Sequence, residues 1–269
     1  MTSTRTRNTK RLGNPYSVRT LRRQGDISPG SPIFEFLERF CTPDYTSFFD
    51  DFLGDTINLD LYAVANGGGA SAASYAVNVQ SDGWIRATSG TANDATASAS
   101  LITPVLWYGD QNAWCEYRWK IPSAAVTDTR VEMGFVDVVP GSNASVFNSL
   151  TTPSVNTSVV DCAAYCFNHT GSTTTNILGT IGTSITAAKS SLTMPTAIAT
   201  TVKNIIRIQM IANHVYIWVD GVPQTALNTG GTDYVEGGSA LALWSYLRAN
   251  SATTKSHDID YIEAGQERA

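Results

Sequence analysis

Charge is what this sequence has least of. Asp, Glu, Lys and Arg make up 15% of its 269 residues, against about a quarter in an average globular domain, and Thr, Ser, Ala and Gly fill their place. That composition favours strands and turns over a helical bundle. Long apolar runs are also missing. No stretch approaches the roughly 18–20 residues of a membrane-crossing helix, so no membrane partner is expected. No apolar segment of about 7–15 residues follows the N-terminal charges, as a secretory signal requires, so synthesis in the cytoplasm without export is expected. A transit peptide would need an amphipathic helix that Gly13 and Pro15 interrupt. Cysteine is sparse: Cys41, Cys115, Cys162 and Cys166 lack the dense spacing of a disulfide framework. In DCAAYCFNH, Cys162 and Cys166 share one strand face beside His169. A fourth ligand and a second cysteine pair are lacking, so buried small hydrophobes are expected there rather than a metal site.

The catalytic signatures are missing too. There is no GxSxG elbow, P-loop or HExxH motif. GGGASAAS is glycine-rich, but no Lys follows it, which removes a phosphate cradle. Asp233 and Glu236 in NTGGTDYVEGG lack the ligand spacing of a calcium loop. His169, His214 and His257 stand in unrelated contexts, His214 in the ANH turn. No cofactor or metal is expected.

What the sequence does have is a segregation of charge. The first 23 residues contain Arg5, Arg7, Lys10, Arg11, Arg19, Arg22 and Arg23 and no acid, whereas the rest of the chain holds 11 basic and all 23 acidic residues. Gly13, Pro15, Gly25, Pro29, Gly30 and Pro32 prevent long regular elements. Residues 1–44 therefore form an extended arm. Within it SPIFEFLERF predicts a short helix near 32–40, capped by Ser31 and opened by Pro32, with Ile33, Phe34, Phe36, Leu37 and Phe40 as an apolar foot.

From residue 45 to 269 the period is two. NAWCEYRWKI sets Cys115, Tyr117, Trp119 and Ile121 against Trp114, Glu116, Arg118 and Lys120. TRVEMGFVD puts Val131, Met133 and Phe135 inward with Arg130 and Glu132 outward, and NIIRIQM sets Ile206, Ile208 and Met210 opposite Arg207 and Gln209. NHVYIWVDGVPQ carries a hairpin signal at Asp220-Gly221. GSALALWSYLRA is apolar on both faces, as a doubly covered central strand would be. From residue 140 to 195 the pattern weakens; VVDCAAYCFN is its clear strand and NILGTIGTSIT a fainter one, in strands and loops at one end of the domain. These features predict an all-β antiparallel sandwich.

Two stretches carry a family resemblance. FFDDFLGDTINLDLYAVANGGGASAASYAV resembles the opening of concanavalin A-like (LamG-like) jelly rolls, with Tyr62 where many relatives have Trp. VYIWVDGVPQ and HDIDYIEAG are similar to the late strands of the same fold. DDFLGDTINLDLYAVANGGGASAASYAV, ATASASLITP and GFVDVVPGSNA together resemble virion structural proteins of tailed bacteriophages that carry such a sandwich. The resemblance implies a capsid decoration or cement protein on the particle surface. Its partners would be the major capsid protein or other virion proteins, in homo-oligomeric form. In that role the arm residues named above, with Tyr16, would be the partner-binding set.

Glycanase relatives of the fold carry a Glu-x-Asp-x-Glu run that aims three acids into a cleft. The corresponding VEMGFVDV offers Glu132 and Asp137, an odd five residues apart, which an unbulged strand sends to opposite faces. Glu132 is expected on a solvated face, Asp137 at a strand end, and catalysis is not expected. The alternative function is a carbohydrate-binding module of a phage particle, receptor-binding or adhesive. Trp84, Trp107, Trp114, Trp218 and Trp244 offer rings, half or more of them expected in the core, and Trp114 and Trp218 are the candidate stacking residues. Nucleic-acid binding by the arm is disfavoured, since only Tyr16 could stack on bases and the acidic remainder repels a polyanion.

Overall fold

The computed structural model describes residues 45–54, 56–66, 73–78, 83–91, 97–104, 106–122, 127–137, 145–149, 154–155, 161–170, 173–181, 190–192, 203–211, 214–223 and 239–267. All thirteen arm residues assigned to partner binding, and Asp233 and Glu236, lie outside that set.

Strands in chain order begin with β1 (Tyr45–Asp50), β2 (Ala63–Asn66), β3 (Ser74–Asn78), β4 (Trp84–Thr88), β5 (Ala99–Ile102) and β6 (Trp107–Tyr108). There follow β7 (Trp114–Lys120), β8 (Thr129–Val136), β9 (Phe147–Ser149), β10 (Ser154–Val155), β11 (Cys162–Thr170) and β12 (Thr173–Ile181). The last six are β13 (Ser190–Leu192), β14 (Asn204–Ile211), β15 (His214–Val219), β16 (Val222–Pro223), β17 (Ala240–Ala249) and β18 (Ser256–Glu267). They form two antiparallel sheets and a small β9–β10 ribbon. The first sheet runs β16-β15-β14-β7-β18-β4-β3, with β1 also on β18; the second runs β13-β12-β11-β8-β17-β5-β2, with β6 also on β17. This is the sandwich expected from the sequence.

The period-two faces explain the core. Cys115, Tyr117, Trp119, Ile206, Ile208 and Ile217 of the first sheet meet Val131, Met133, Phe135, Tyr165, Leu243 and Leu247 of the second in one buried cluster. Trp119 packs against Tyr165 and Phe167, with ring centroids 6.2 and 6.1 Å apart. The Tyr117 hydroxyl crosses the sandwich and donates to the carbonyls of Trp244 at 3.1 Å and Gly134 at 3.3 Å. One phenol thereby fastens the first sheet to the backbone of the second, and its burial is compensated by those bonds.

β17 behaves as a doubly covered strand should. Leu241, Leu243 and Leu247 enter the main core, while Trp244 and Tyr246 join a second cluster on the outer face with Val136, Val146, Phe147, Cys162, Ala164 and Cys166. Cys162 and Cys166 are thus packed as small hydrophobes. Asp220 and Gly221 have φ of 50° and 76°, the left-handed pair of a two-residue hairpin between β15 and β16. His214, read from the sequence as a loop residue, is the first residue of β15. The segment 140–195, read as strands and loops at one end, contributes β11 on the clear strand VVDCAAYCFN and β12 on the fainter NILGTIGTSIT; they pair over nine residues and extend the second sheet.

Candidate functional site

Both sheets bury polar groups on their outer faces. Glu132, expected in solvent, is 0% exposed. Arg130, two residues earlier on the same face of β8, donates from Nε to Glu132 Oε1 at 2.8 Å. The Val146 amide donates to Oε2 at 2.8 Å, and the Ser145 hydroxyl bonds Oε1. Arg130 also reaches Ser145 and the Phe147 carbonyl. The segment 145–147 therefore crosses the outer face of β8 and buries the pair, which is why the solvated-face expectation fails. Two residues after Glu132 comes Gly134, with φ of 140°. A Cβ there would lie 2.2 Å from the Ala163 carbonyl oxygen, so no side chain fits. Val136 follows, buried. β8 thus offers one carboxylate on this face, tied into an ion pair.

The first sheet carries a row of polar groups across its outer face. Register places Phe49 of β1 opposite Glu263 of β18, Glu263 opposite Glu116 of β7, Glu116 opposite Arg207 of β14, and Arg207 opposite Trp218 of β15. The bulge in β18 at Asp260, where pairing steps from Ile259 to Tyr261, brings Tyr261 and Glu263 onto this face. The Tyr261 hydroxyl donates to Glu116 Oε1 at 2.6 Å. Glu263 Oε2 has no hydrogen-bond partner among the described residues. Burial first, and then the Glu116 charge, raise the Glu263 carboxyl to about 8, with the Arg207 charge opposing. Burial likewise pushes Glu116 up, against the Tyr261 bond and Arg207.

Aromatic rings hold the cation of that row. The Arg207 guanidinium lies 4.4 Å from the Trp114 ring centroid and 5.9 Å from that of Trp218. Tyr216 packs on Trp218 at 6.1 Å. The structure thus brings together both candidate stacking residues, but unequally. Trp114 is 3% exposed and has Arg207 on its face, whereas Trp218 is only half-buried. Any stacking role falls to Trp218 with Tyr216. Trp84, Trp107 and Trp244 are buried.

Farther along the same face, Arg86 grips Asp258 through two bonds of 2.6 and 2.9 Å, and Lys120 stands 3.8 Å from the same carboxylate. Lys120 Nζ also lies 4.0 Å from the Trp84 ring centroid. The bulge residue Asp260 pairs with Arg118 at 3.3 Å and Lys203 at 3.8 Å. The Glu116–Glu263 pair escaped the sequence because its members are 147 positions apart and meet only through the β7–β18 register. Alternation put Glu116 on a polar face, whereas Glu263 reaches that face only through the bulge at Asp260.

No family model matches the chain, and no curated protein does so either. Solved structures share the fold. A protein of unknown function from Shewanella oneidensis superposes with a TM-score of 0.56 at 14% identity, over 90% of this chain and 97% of that one. A β-glucanase of Bacillus licheniformis gives 0.53 at 11% identity, over 83% and 98%. The carbohydrate recognition domain of Emp47p gives 0.53 at 12%, over 84% and 98%. Further neighbours at 10–12% identity are glycoside hydrolases and a β-1,3-glucanase. These likenesses show the fold, a jelly-roll β-sandwich.

They also overturn the expectation that the chain lacks catalysis, because its fold neighbours are mostly glycoside hydrolases. The physical reason is that the exclusion tested one pair, Glu132 and Asp137, on one strand. The sandwich assembles carboxylates from different strands, as Glu116 and Glu263 illustrate.

Proposed function

We propose that this chain is a structural protein of a tailed-phage virion, a capsid decoration or cement protein whose sandwich docks on the shell and whose arm fastens to neighbouring subunits. The observation that carries the reading is the division of the chain into a basic, acid-free N-terminus with an apolar foot and an acidic sandwich. An arm of that composition gains order by binding, through many distributed contacts, and Arg forks suit carboxylate partners on protein. The likeness of DDFLGDTINLDLYAVANGGGASAASYAV, ATASASLITP and GFVDVVPGSNA to virion sandwich proteins supports it. Purification of intact particles tests it. The protein should co-purify at a fixed copy number per particle; its absence from particles of any kind refutes the reading.

A second reading is favoured by the half-buried Trp218 and Tyr216 beside the Glu116–Glu263–Arg207 row. It is engagement of a glycan, by binding or hydrolysis, on the outer face of the first sheet. Aromatic faces and buried carboxylates are what sugar recognition and glycosidic chemistry use, and neighbours of the fold include glucanases and a carbohydrate recognition domain. A glycan array and a reducing-end release assay on β-glucan test it, with Trp218→Ala and Glu263→Gln as controls. Signal lost in the variants supports it, and silence in both assays ends it.

A further inference from the structure

We propose that the outer face of the first sheet binds an acidic glycan, with a carboxylate or sulfate group held at Arg86, Lys120 and Lys203 and sugar rings stacked on Trp218 and Tyr216. This inference rests on the glycan reading above and names the chemical class of the glycan.

The first observation is where the sandwich keeps its cations. From residue 24 onward the chain has 11 basic and 23 acidic residues, and eight of the basic ones are described. Five of those eight, Arg86, Arg118, Lys120, Lys203 and Arg207, gather on this one face.

The second observation is how they are held. Register puts Asp258 of β18 between Arg86 of β4 and Lys120 of β7. Its carboxylate takes two bonds from Arg86 and faces Lys120 Nζ at 3.8 Å. Asp260, set apart by the bulge, serves Arg118 and Lys203 in the same way, at 3.3 and 3.8 Å. Among the described residues four cations thus share two carboxylates. The acids lie beneath. The side chains of Asp258 and Asp260 are 0% and 13% exposed, against 35% for Arg86 and 42% for Lys203. Solvent therefore meets the positive layer. Both lysine ammonium groups also flank the buried Trp84 ring, 4.0 and 5.0 Å from its centroid. That ring keeps two like charges close together, and an anion placed against both relieves their repulsion.

The third observation is what shares the face. Trp114, Glu116, Arg118 and Lys120 alternate outward along β7, and Arg207, opposite Glu116, leads across to Trp218. The half-buried Trp218 and Tyr216 therefore lie about 14 Å from Lys120 along the strand direction, a separation that a short oligosaccharide spans. Exposed cations stand at one end and aromatic faces, which suit neutral sugar rings, at the other. A nucleic acid asks instead for cations all along its phosphates, and this domain is acidic outside the cluster.

Calorimetric titration of the full chain tests the proposal with four probes: a neutral β-glucan oligosaccharide, its carboxymethylated and sulfated derivatives, and a single-stranded oligonucleotide. A derivative should bind roughly tenfold tighter than the parent, with the advantage shrinking as salt is raised. Lys120→Gln with Lys203→Gln should bring the derivative down to the level of the parent. Asp258 keeps Arg86 and Asp260 keeps Arg118 in that variant, and its thermal midpoint checks that it folds. Equal binding of parent and derivatives by the wild type overturns the proposal and leaves the glycan reading standing. So does an advantage that survives the lysine changes and disappears with Arg19→Glu, Arg22→Glu and Arg23→Glu, which assigns it to the arm. Tighter binding of the oligonucleotide, lost in the lysine variant, overturns the proposal in favour of nucleic acid. Silence with every glycan removes the glycan reading itself, and the proposal with it.

Discussion

Glu116 and Glu263 stand directly opposite each other on β7 and β18, two buried carboxylates in one row with Arg207 and its flanking Trp114 and Trp218. Burial raises both carboxyls and the Glu116 charge raises Glu263 further, so each holds its proton to higher pH than a free side chain would.

Stability should therefore fall as the medium becomes alkaline. Glu263 keeps its proton to about pH 8 in the folded state, against 4.5 when free. Between those values the unfolded chain has lost a proton that the folded chain retains, so rising pH favours unfolding, and the loss is complete above the upper value. Glu263→Gln should gain on the wild type across this window, by at most about 1.4 kcal/mol per pH unit. Urea unfolding at about pH 5 and about pH 8 would contradict this if the difference between the proteins does not change.

His257 works in the other direction. It is fully buried, with Tyr75 edge-on at 5.9 Å and Ser245 Oγ 3.4 Å from Nε2, and burial lowers its titration from 6.5 to about 4. The unfolded chain binds a proton first, so stability is lost as pH falls from 6.5 toward 4. His257→Gln should flatten that acid limb. Because Glu263 and His257 oppose each other below 6.5, the wild-type profile should be flattest there and steeper between 6.5 and 8. A Glu263→Gln protein still declining over that upper range would point to another group.

Breaking the outer-face ion pair of β8 should be costly. Glu132→Ala leaves the Arg130 guanidinium, 5% exposed, without its carboxylate and should cost about 3–5 kcal/mol. Replacing both, Arg130→Met with Glu132→Leu, should recover much of that loss, because no buried charge remains. Equal losses in the single and double variants, measured by denaturant midpoints, would show that the pair adds nothing beyond its parts.

Gly134→Ala should fail more severely than its size implies. The added methyl would press into the backbone at Ala163 and Ala164, at 2.2 and 2.8 Å, in a strand locked on both sides by β11 and β17. Loss of the cooperative unfolding transition is expected, and a near-native midpoint would show that β8 shifts to make room.

The strands were legible because alternation reports burial on the core side. Val131, Met133 and Phe135, Ile206 and Ile208, and the double-faced β17 all took their expected places. Alternation is silent about what covers the opposite face. By its alternation Glu132 reads as solvated although 145–147 crosses it, and Trp114 reads as available although Arg207 lies on its ring. The Glu116–Glu263 pair depends on register between distant strands and a bulge at Asp260, neither of which leaves a local mark. The Asp-Gly hairpin left one, since its two left-handed residues need that chemistry.

The central claim is that this sandwich is fastened to a particle by its first 44 residues. Limited proteolysis of the free protein and of intact particles, read by mass spectrometry of the N-terminal peptides, tests it most directly. Cleavage after Arg11, Arg19, Arg22 and Arg23 should be rapid in the free protein and suppressed on the particle. Equal cleavage in both settings would contradict the account.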